Sequence, residues 1–181
     1  MKKWIGYYQN IISDALCNEI INYSENQKPL QPSTYSTSSG KSNRSEERVK
    51  MDDGWFRDGE QYYEDIKYYF MSALKLYRKT HPDCVCQRHT DFRLNKYSKG
   101  GFMSRHVDNI HHSHGQEYGF PQASVLLFLN DNFEGGDFII SDITYKTKKG
   151  SAIVFPSNFM FPHEVKLVKK GTRYSIISWL M

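Results

Sequence analysis

The sequence predicts an α+β protein: a double-stranded β-helix (jelly-roll) core with N-terminal helices packed on its major sheet. Three observations lead there. Two amphipathic helical stretches precede residue 90, about eight short strand-like runs follow it, and aromatics are heavy at 15%, with 13 Tyr and 11 Phe. Aromatic side chains favour pleated, half-buried surfaces, and helices followed by a run of strands give the α+β class. Among small β folds, the strand number and spacing suit a jelly roll. At 181 residues the chain is expected to be one domain over 1–181, with a helical part in 1–89 and the jelly-roll core in 90–181.

The elements follow in order. Trp4 to Tyr8 reads as a short strand. Ser13 and Asp14 offer N-cap oxygens ahead of Leu16, Ile20 and Tyr23, which share one helical face. Residues 24–54 are rich in Ser, Thr, Asn, Lys and Pro, so that stretch is expected to be mobile, either a surface insertion or a lid. Asp58 with Gln61 resembles a capping box opening a second helix, whose face Tyr62, Ile66, Phe70, Ala73 and Tyr77 packs on a sheet until Pro82 stops it. From Thr90 the texture is strand: TDFRLNKY, then ASVLLFLN as a central strand, then FIIS, ITYKT and SAIVFP. FPHEVKLV and TRYSIISWL, separated by Lys169-Lys170-Gly171, read as a hairpin.

A net charge of +4 without a basic block argues against a nucleic-acid partner. No stretch has the apolar length of a membrane span. Three cysteines, Cys17, Cys84 and Cys86, make no disulfide framework, and the opening MKKWIGYYQN has no apolar signal core. The expected location is the cytoplasm, that of a host cell if the chain is phage-encoded.

His106 and Asp108 are spaced so that a strand points both to one face, giving an acid–base pair or half a metal site. On their own they are weak. His163, 57 residues after His106, completes a two-histidine, one-carboxylate set, which occupies one face of an iron octahedron and leaves three positions open. A structural zinc site would want more thiolates. Arg173 follows ten residues later with Ser175 on the same strand face; a guanidinium fork beside a hydroxyl makes a receptor for a carboxylate. Singly, each of these residues has a plainer role: a core histidine, a surface arginine. Together and in this order they point to a non-haem iron site. His111, His112 and His114 read as a solvated loop or a rim of the site, Cys84 and Cys86 lack a second pair for zinc, Gly135 and Gly136 serve a turn, and Trp179 is core. Arg105 is left open between exposure and ligand contact.

From Asp91 onward the motifs RLNKYSKGGFMSRHVD, ASVLLFLND, EGGDF, KKGSAIVFP and PHEVKLVKKGTRYSIISW resemble the prolyl 4-hydroxylase-like branch of the iron(II)/2-oxoglutarate oxygenases, closest to small bacterial or phage-encoded members. The resemblance implies His106, Asp108 and His163 as catalytic metal ligands, Arg173 as the partner of the distal carboxylate of 2-oxoglutarate, Tyr97 as a hydrogen-bond donor to it, and Ser175 as part of an Arg-x-Ser pattern. It implies Fe(II), 2-oxoglutarate as cosubstrate, O2, and ascorbate as a reductant. The implied reaction is hydroxylation of an unactivated C–H, foremost a prolyl residue in a peptide or protein. The alternatives are another side chain, a small molecule, or a non-catalytic oxygen or 2-oxoglutarate sensing module. Animal and plant prolyl hydroxylases commonly carry Lys where this chain has Arg173, which leaves the substrate open. Repair demethylases carry a second arginine where this chain has Trp179, and related halogenases lack the carboxylate that Asp108 provides.

Overall fold

The structure is a computed structural model that describes residues 1–36, 42–43, 47–109 and 119–181. In chain order the elements are β1 (Gly6–Tyr8), α1 (Asp14–Asn26), β2 (Gln31–Pro32), β3 (Tyr35–Ser36), β4 (Ser42–Asn43), β5 (Val49–Lys50), β6 (Asp52–Phe56), α2 (Tyr63–Thr80), β7 (Phe92–Tyr97) and β8 (Phe102–His106). The chain continues through β9 (Ala123–Phe128), β10 (Glu134–Gly135), β11 (Phe138–Ile140), β12 (Ile143–Tyr145), β13 (Ala152–Pro156), β14 (His163–Val165), β15 (Val168–Lys170) and β16 (Arg173–Leu180). A seven-stranded sheet has the order β1-β13-β9-β16-β7-β6-β2, and a five-stranded sheet the order β12-β11-β14-β8-β5. The short pairs β10-β15 and β3-β4 complete the pairing among the described residues.

The period of two along each central strand builds two cores at once. Leu94 of β7, Val125 and Leu127 of β9, Val154 of β13 and Ile176 of β16 join Ile20 of α1 and Ile66, Phe70 and Leu74 of α2 in one buried cluster. Their alternate neighbours Tyr97, Leu126, Phe128, Ile153, Phe155, Ile177 and Trp179 meet Phe138 and Ile140 of β11 and Val165 of β14 in the other. The seven-stranded sheet is therefore covered by helices on one face and by the smaller sheet on the opposite face. Burying each large apolar side chain contributes about 1.5–3 kcal/mol. No helix among the described residues is long and apolar enough to cross a membrane.

α1 starts as its cap predicts, with Ser13 Oγ accepting the Leu16 N–H at 3.2 Å. α2 does not start at Asp58. Its N-cap is Tyr62 at φ 67° with no side-chain cap, because 57–63 close two backbone turns first and Glu60 is held by Lys28 at 2.6 Å. Glu64 and Asp65 in the first turn complement the helix dipole instead.

The stretch 24–54 also departs from its composition. Residues 24–26 finish α1, while β2, β5 and β6 add strands to both sheets. Few apolar residues suffice, since Val49 and Met51 are buried and buried Asp53 is paired with Arg93. Residues 37–41 and 44–46, and with them part of the expected lid, lie outside the described residues, as does the loop carrying His111, His112 and His114.

The expected hairpin between FPHEVKLV and TRYSIISWL is not one. β14 lies between β11 and β8 in the small sheet, β15 pairs with β10, and β16 lies between β9 and β7 in the large one. The turn is real, with Gly171 at φ 76°, but it carries the chain across the sandwich.

Candidate metal centre

β8 delivers His106 as its last residue, β14 delivers His163 as its first, and the two are directly opposed in the register. Their ring centroids are 4.2 Å apart. His106 Nδ1 donates to Ser104 O at 2.8 Å and His163 Nδ1 to Phe161 O at 3.2 Å. A carbonyl only accepts, so each Nδ1 carries the hydrogen and each Nε2 lone pair is left for the centre. Asp108 does not share the strand with His106 as expected. β8 stops at His106 because Asn109 N–H turns away to Ser157 O at 3.0 Å. The carboxylate still converges: Oδ1 is 3.5 Å from His106 Nε2 and Oδ2 is 3.4 Å from His163 Nε2.

Asp108 and His163 are each 3% exposed. Burial alone would raise the Asp108 carboxyl, but His163 and His106, when their Nε2 atoms carry protons, outweigh burial and hold it well below the usual carboxylate range; a bound metal would stand in place of those protons. Burial and neighbouring His163 lower His106, favouring the neutral imidazole that a metal requires. The ligand atoms of His106, Asp108 and His163 lie within 4.8 Å of one another, the single such group of three among the described residues. Two neutral imidazoles and a carboxylate, with no thiolate, fit Fe(II) and leave coordination positions open.

Two hydroxyls that sequence reasoning missed support this centre. Ser124 Oγ donates to Asp108 Oδ2 at 2.6 Å and is 2.8 Å from Ser157 Oγ. The signal was present in ASVLLFLN, where Ser124 shares the inward parity of Leu126 and Phe128. Ser124→Ala is expected to weaken metal binding about 10–100-fold, the usual effect of losing a supporting partner. Titration of Fe(II) or Co(II) into the apo variant checks it.

Arg173, the first residue of β16, is 1% exposed and lies opposite Tyr97 of β7 in the register. Nη1 donates to Ser175 Oγ at 3.0 Å, while buried Nε and Nη2 have no hydrogen-bond partner among the described residues. The guanidinium carbon lies 5.2 Å from the Tyr97 ring centroid and 5.4 Å from that of Phe128. Burial lowers Arg173 from its ordinary value and raises Tyr97, which also feels the charge of Asp108. The structure thus brings Tyr97, Arg173 and Ser175 together on the inner sheet face. A buried cation with two unmet donors is costly. A carboxylate accepting from its fork would remove that cost, and a dicarboxylate would reach toward a metal with its other end. The residues fit both Fe(II) and 2-oxoglutarate.

A model of the 2OG-Fe(II) oxygenase superfamily matches residues 92–181. The chain is a member of the 2OG-Fe(II) oxygenase superfamily. A PKHD-type hydroxylase of Crocosphaera subtropica is 34% identical over 94 residues, 49% of this oxygenase chain. The chain spans 41% of that relative's length. A prolyl-4-hydroxylase of Pseudomonas putida superposes with a TM-score of 0.73 at 18% identity, covering 98% of this chain and 91% of that one. A prolyl hydroxylase in complex with a hypoxia inducible factor peptide fragment, from Trichoplax adhaerens, gives a TM-score of 0.76 at 18% identity, covering 99% and 84%. These likenesses show that the oxygenase has the prolyl hydroxylase fold. Fe(II) and 2-oxoglutarate are the superfamily's metal and cosubstrate.

The EGG turn earns its glycines at this site. Gly135 (φ 74°) would place a Cβ 2.3 Å from Leu167 O, and Gly136 (φ 63°) would place one 3.2 Å from Arg173 Cδ. Gly135→Ala is expected to cost about 1–3 kcal/mol through strain at a left-handed residue, read as a lower denaturation midpoint.

Proposed function

We propose that this oxygenase hydroxylates a prolyl residue in a peptide or protein, with His106, Asp108 and His163 holding Fe(II) and Arg173, Tyr97 and Ser175 seating 2-oxoglutarate. The observation that carries the reading is the buried Arg173 fork, unmet at Nε and Nη2, on the sheet face that also bears Tyr97. Neither a zinc hydrolase nor a structural metal site has a use for it. Retention of all three ligands and the arginine argues against an inert sensing module.

The bound Fe(II) and 2-oxoglutarate supply oxidation of an unactivated C–H by O2, with succinate and CO2 as coproducts. The chain's own residues bind and orient. Ser104 and Phe161 carbonyls fix the imidazole tautomers, Ser124 fixes the Asp108 carboxylate, and Ser175 sets the Arg173 fork. Phe128, Phe138 and Phe155 exclude water around His163 and Arg173. The prolyl substrate is supported by likeness to human prolyl 3-hydroxylase 2, 42% identical over 69 residues that make up 34% of this chain and 10% of that protein, and by the peptide bound to the Trichoplax adhaerens prolyl hydroxylase.

Succinate formation from 2-oxoglutarate with Fe(II) and ascorbate, with and without proline-containing peptides, tests the reading. Peptide-stimulated succinate with one oxygen added to proline is expected. Succinate without peptide stimulation transfers the reaction to another side chain or a small molecule. Bound iron and 2-oxoglutarate without succinate makes the chain a sensing module.

A further inference from the structure

We propose that the turn 157–162 is a rigid apolar finger for the polypeptide substrate, with Phe159 packing against an apolar side chain that flanks the oxidised residue. The proposal rests on the prolyl-peptide reading above. Phe159 is 81% exposed and Met160 49%. Isolated exposed apolar residues are ordinary; the attachments of this pair are not.

Both legs of the turn hold the metal centre. Ser157 shares its hydroxyl with Ser124, which holds Asp108, and its carbonyl accepts the Asn109 N–H. Phe161 is buried, and its carbonyl fixes His163 Nδ1. Asn158 stiffens the tip, its Oδ1 accepting Met160 N–H at 3.0 Å and its carbonyl accepting Phe161 N–H at 2.9 Å. The apolar tip is thus braced against the segments that carry two of the three ligands.

A second turn braces it from the side. Ser141 (φ 46°) and Asp142 (φ 69°), between β11 and β12, are consecutive left-handed residues without a glycine. Positive φ at both central residues is the geometry a two-residue hairpin turn requires. Ser141 Oγ donates to Met160 O at 2.8 Å and its N–H to Pro162 O at 2.9 Å. Asp142 pairs at 3.1 Å with exposed Arg105, one residue before His106, which gives Arg105 a place in the same rim. The β11–β12 turn thereby holds the finger at Met160 and Pro162.

A ring 81% exposed offers a contact face without enclosure, which suits a side chain of an extended polypeptide better than a small molecule. Aromatic ring and thioether both favour apolar or aromatic partners. The holoenzyme is assayed with paired proline-centred peptides that carry Phe or Ser at each flanking position. Wild type is expected to favour the Phe peptide at one position by about tenfold in kcat/KM, mostly through KM, the yield of one good aromatic contact. Phe159→Ser should collapse that ratio toward one, and Phe159→Leu should restore part of it. General damage to the fold would lower both peptides equally and keep the ratio. An unchanged ratio in Phe159→Ser, or no flank preference in wild type, overturns the finger. Succinate formation with no peptide turned over overturns the prolyl reading, and the finger's stated occupant with it.

Discussion

Asp108→Ala is expected to abolish turnover and to reduce Fe(II) binding to background. The carboxylate is the sole anion of the three-ligand group, sits 3.5 and 3.4 Å from the two Nε2 atoms, and is held at the centre by Ser124. Its removal leaves two imidazoles facing each other, a pair too weak to retain a divalent cation against water. Succinate release and calorimetric Fe(II) titration both read the loss. Full activity in the variant would take the carboxylate out of the site.

Arg173→Met is expected to move two measurements in opposite directions. Binding of 2-oxoglutarate should weaken by about 1.5–3 kcal/mol, the worth of a charged hydrogen bond, which is roughly 10–150-fold in Kd. The apo protein should become more stable, by about 1–3 kcal/mol, because a flexible apolar chain replaces a buried cation with two unmet N–H groups. Thermal or urea midpoints of the apo form, set beside 2-oxoglutarate titration of the Fe(II) form, read both changes. A loss of apo stability would mean that the stacking on Tyr97 and Phe128 outweighs the desolvated charge. Unchanged affinity would assign the distal carboxylate to another residue.

Much of this was legible from local pattern. Strand alternation placed β7, β9, β13 and β16, and the spacing of His106, Asp108 and His163 marked three residues whose ligand atoms converge. Local pattern failed where a distant partner decided the outcome. Glu60 is drawn to Lys28 across 32 residues, so the apparent capping box at Asp58 does not open α2. Asp53 looked like loop chemistry until Arg93, 40 residues on, paired with it inside the sandwich. The hairpin error has the same origin. Gly171 specifies a reversal, but which sheet receives the returning strand is fixed by the inward faces of β7 and β9. The role of Ser124 was only half legible: a serine inside an apolar strand announces burial, but its acceptor is known only in three dimensions.

The position of β16 bears on how the protein is made. It is synthesised after both of its neighbours, yet it fills the middle of the seven-stranded sheet, between β9 and β7. Until it leaves the ribosome, those two strands present open edges, the surfaces on which nascent chains pair wrongly with one another. Because β16 begins at Arg173, the event that closes the sheet also installs the guanidinium. A nascent chain therefore gains the buried guanidinium and its protection from aggregation in one step.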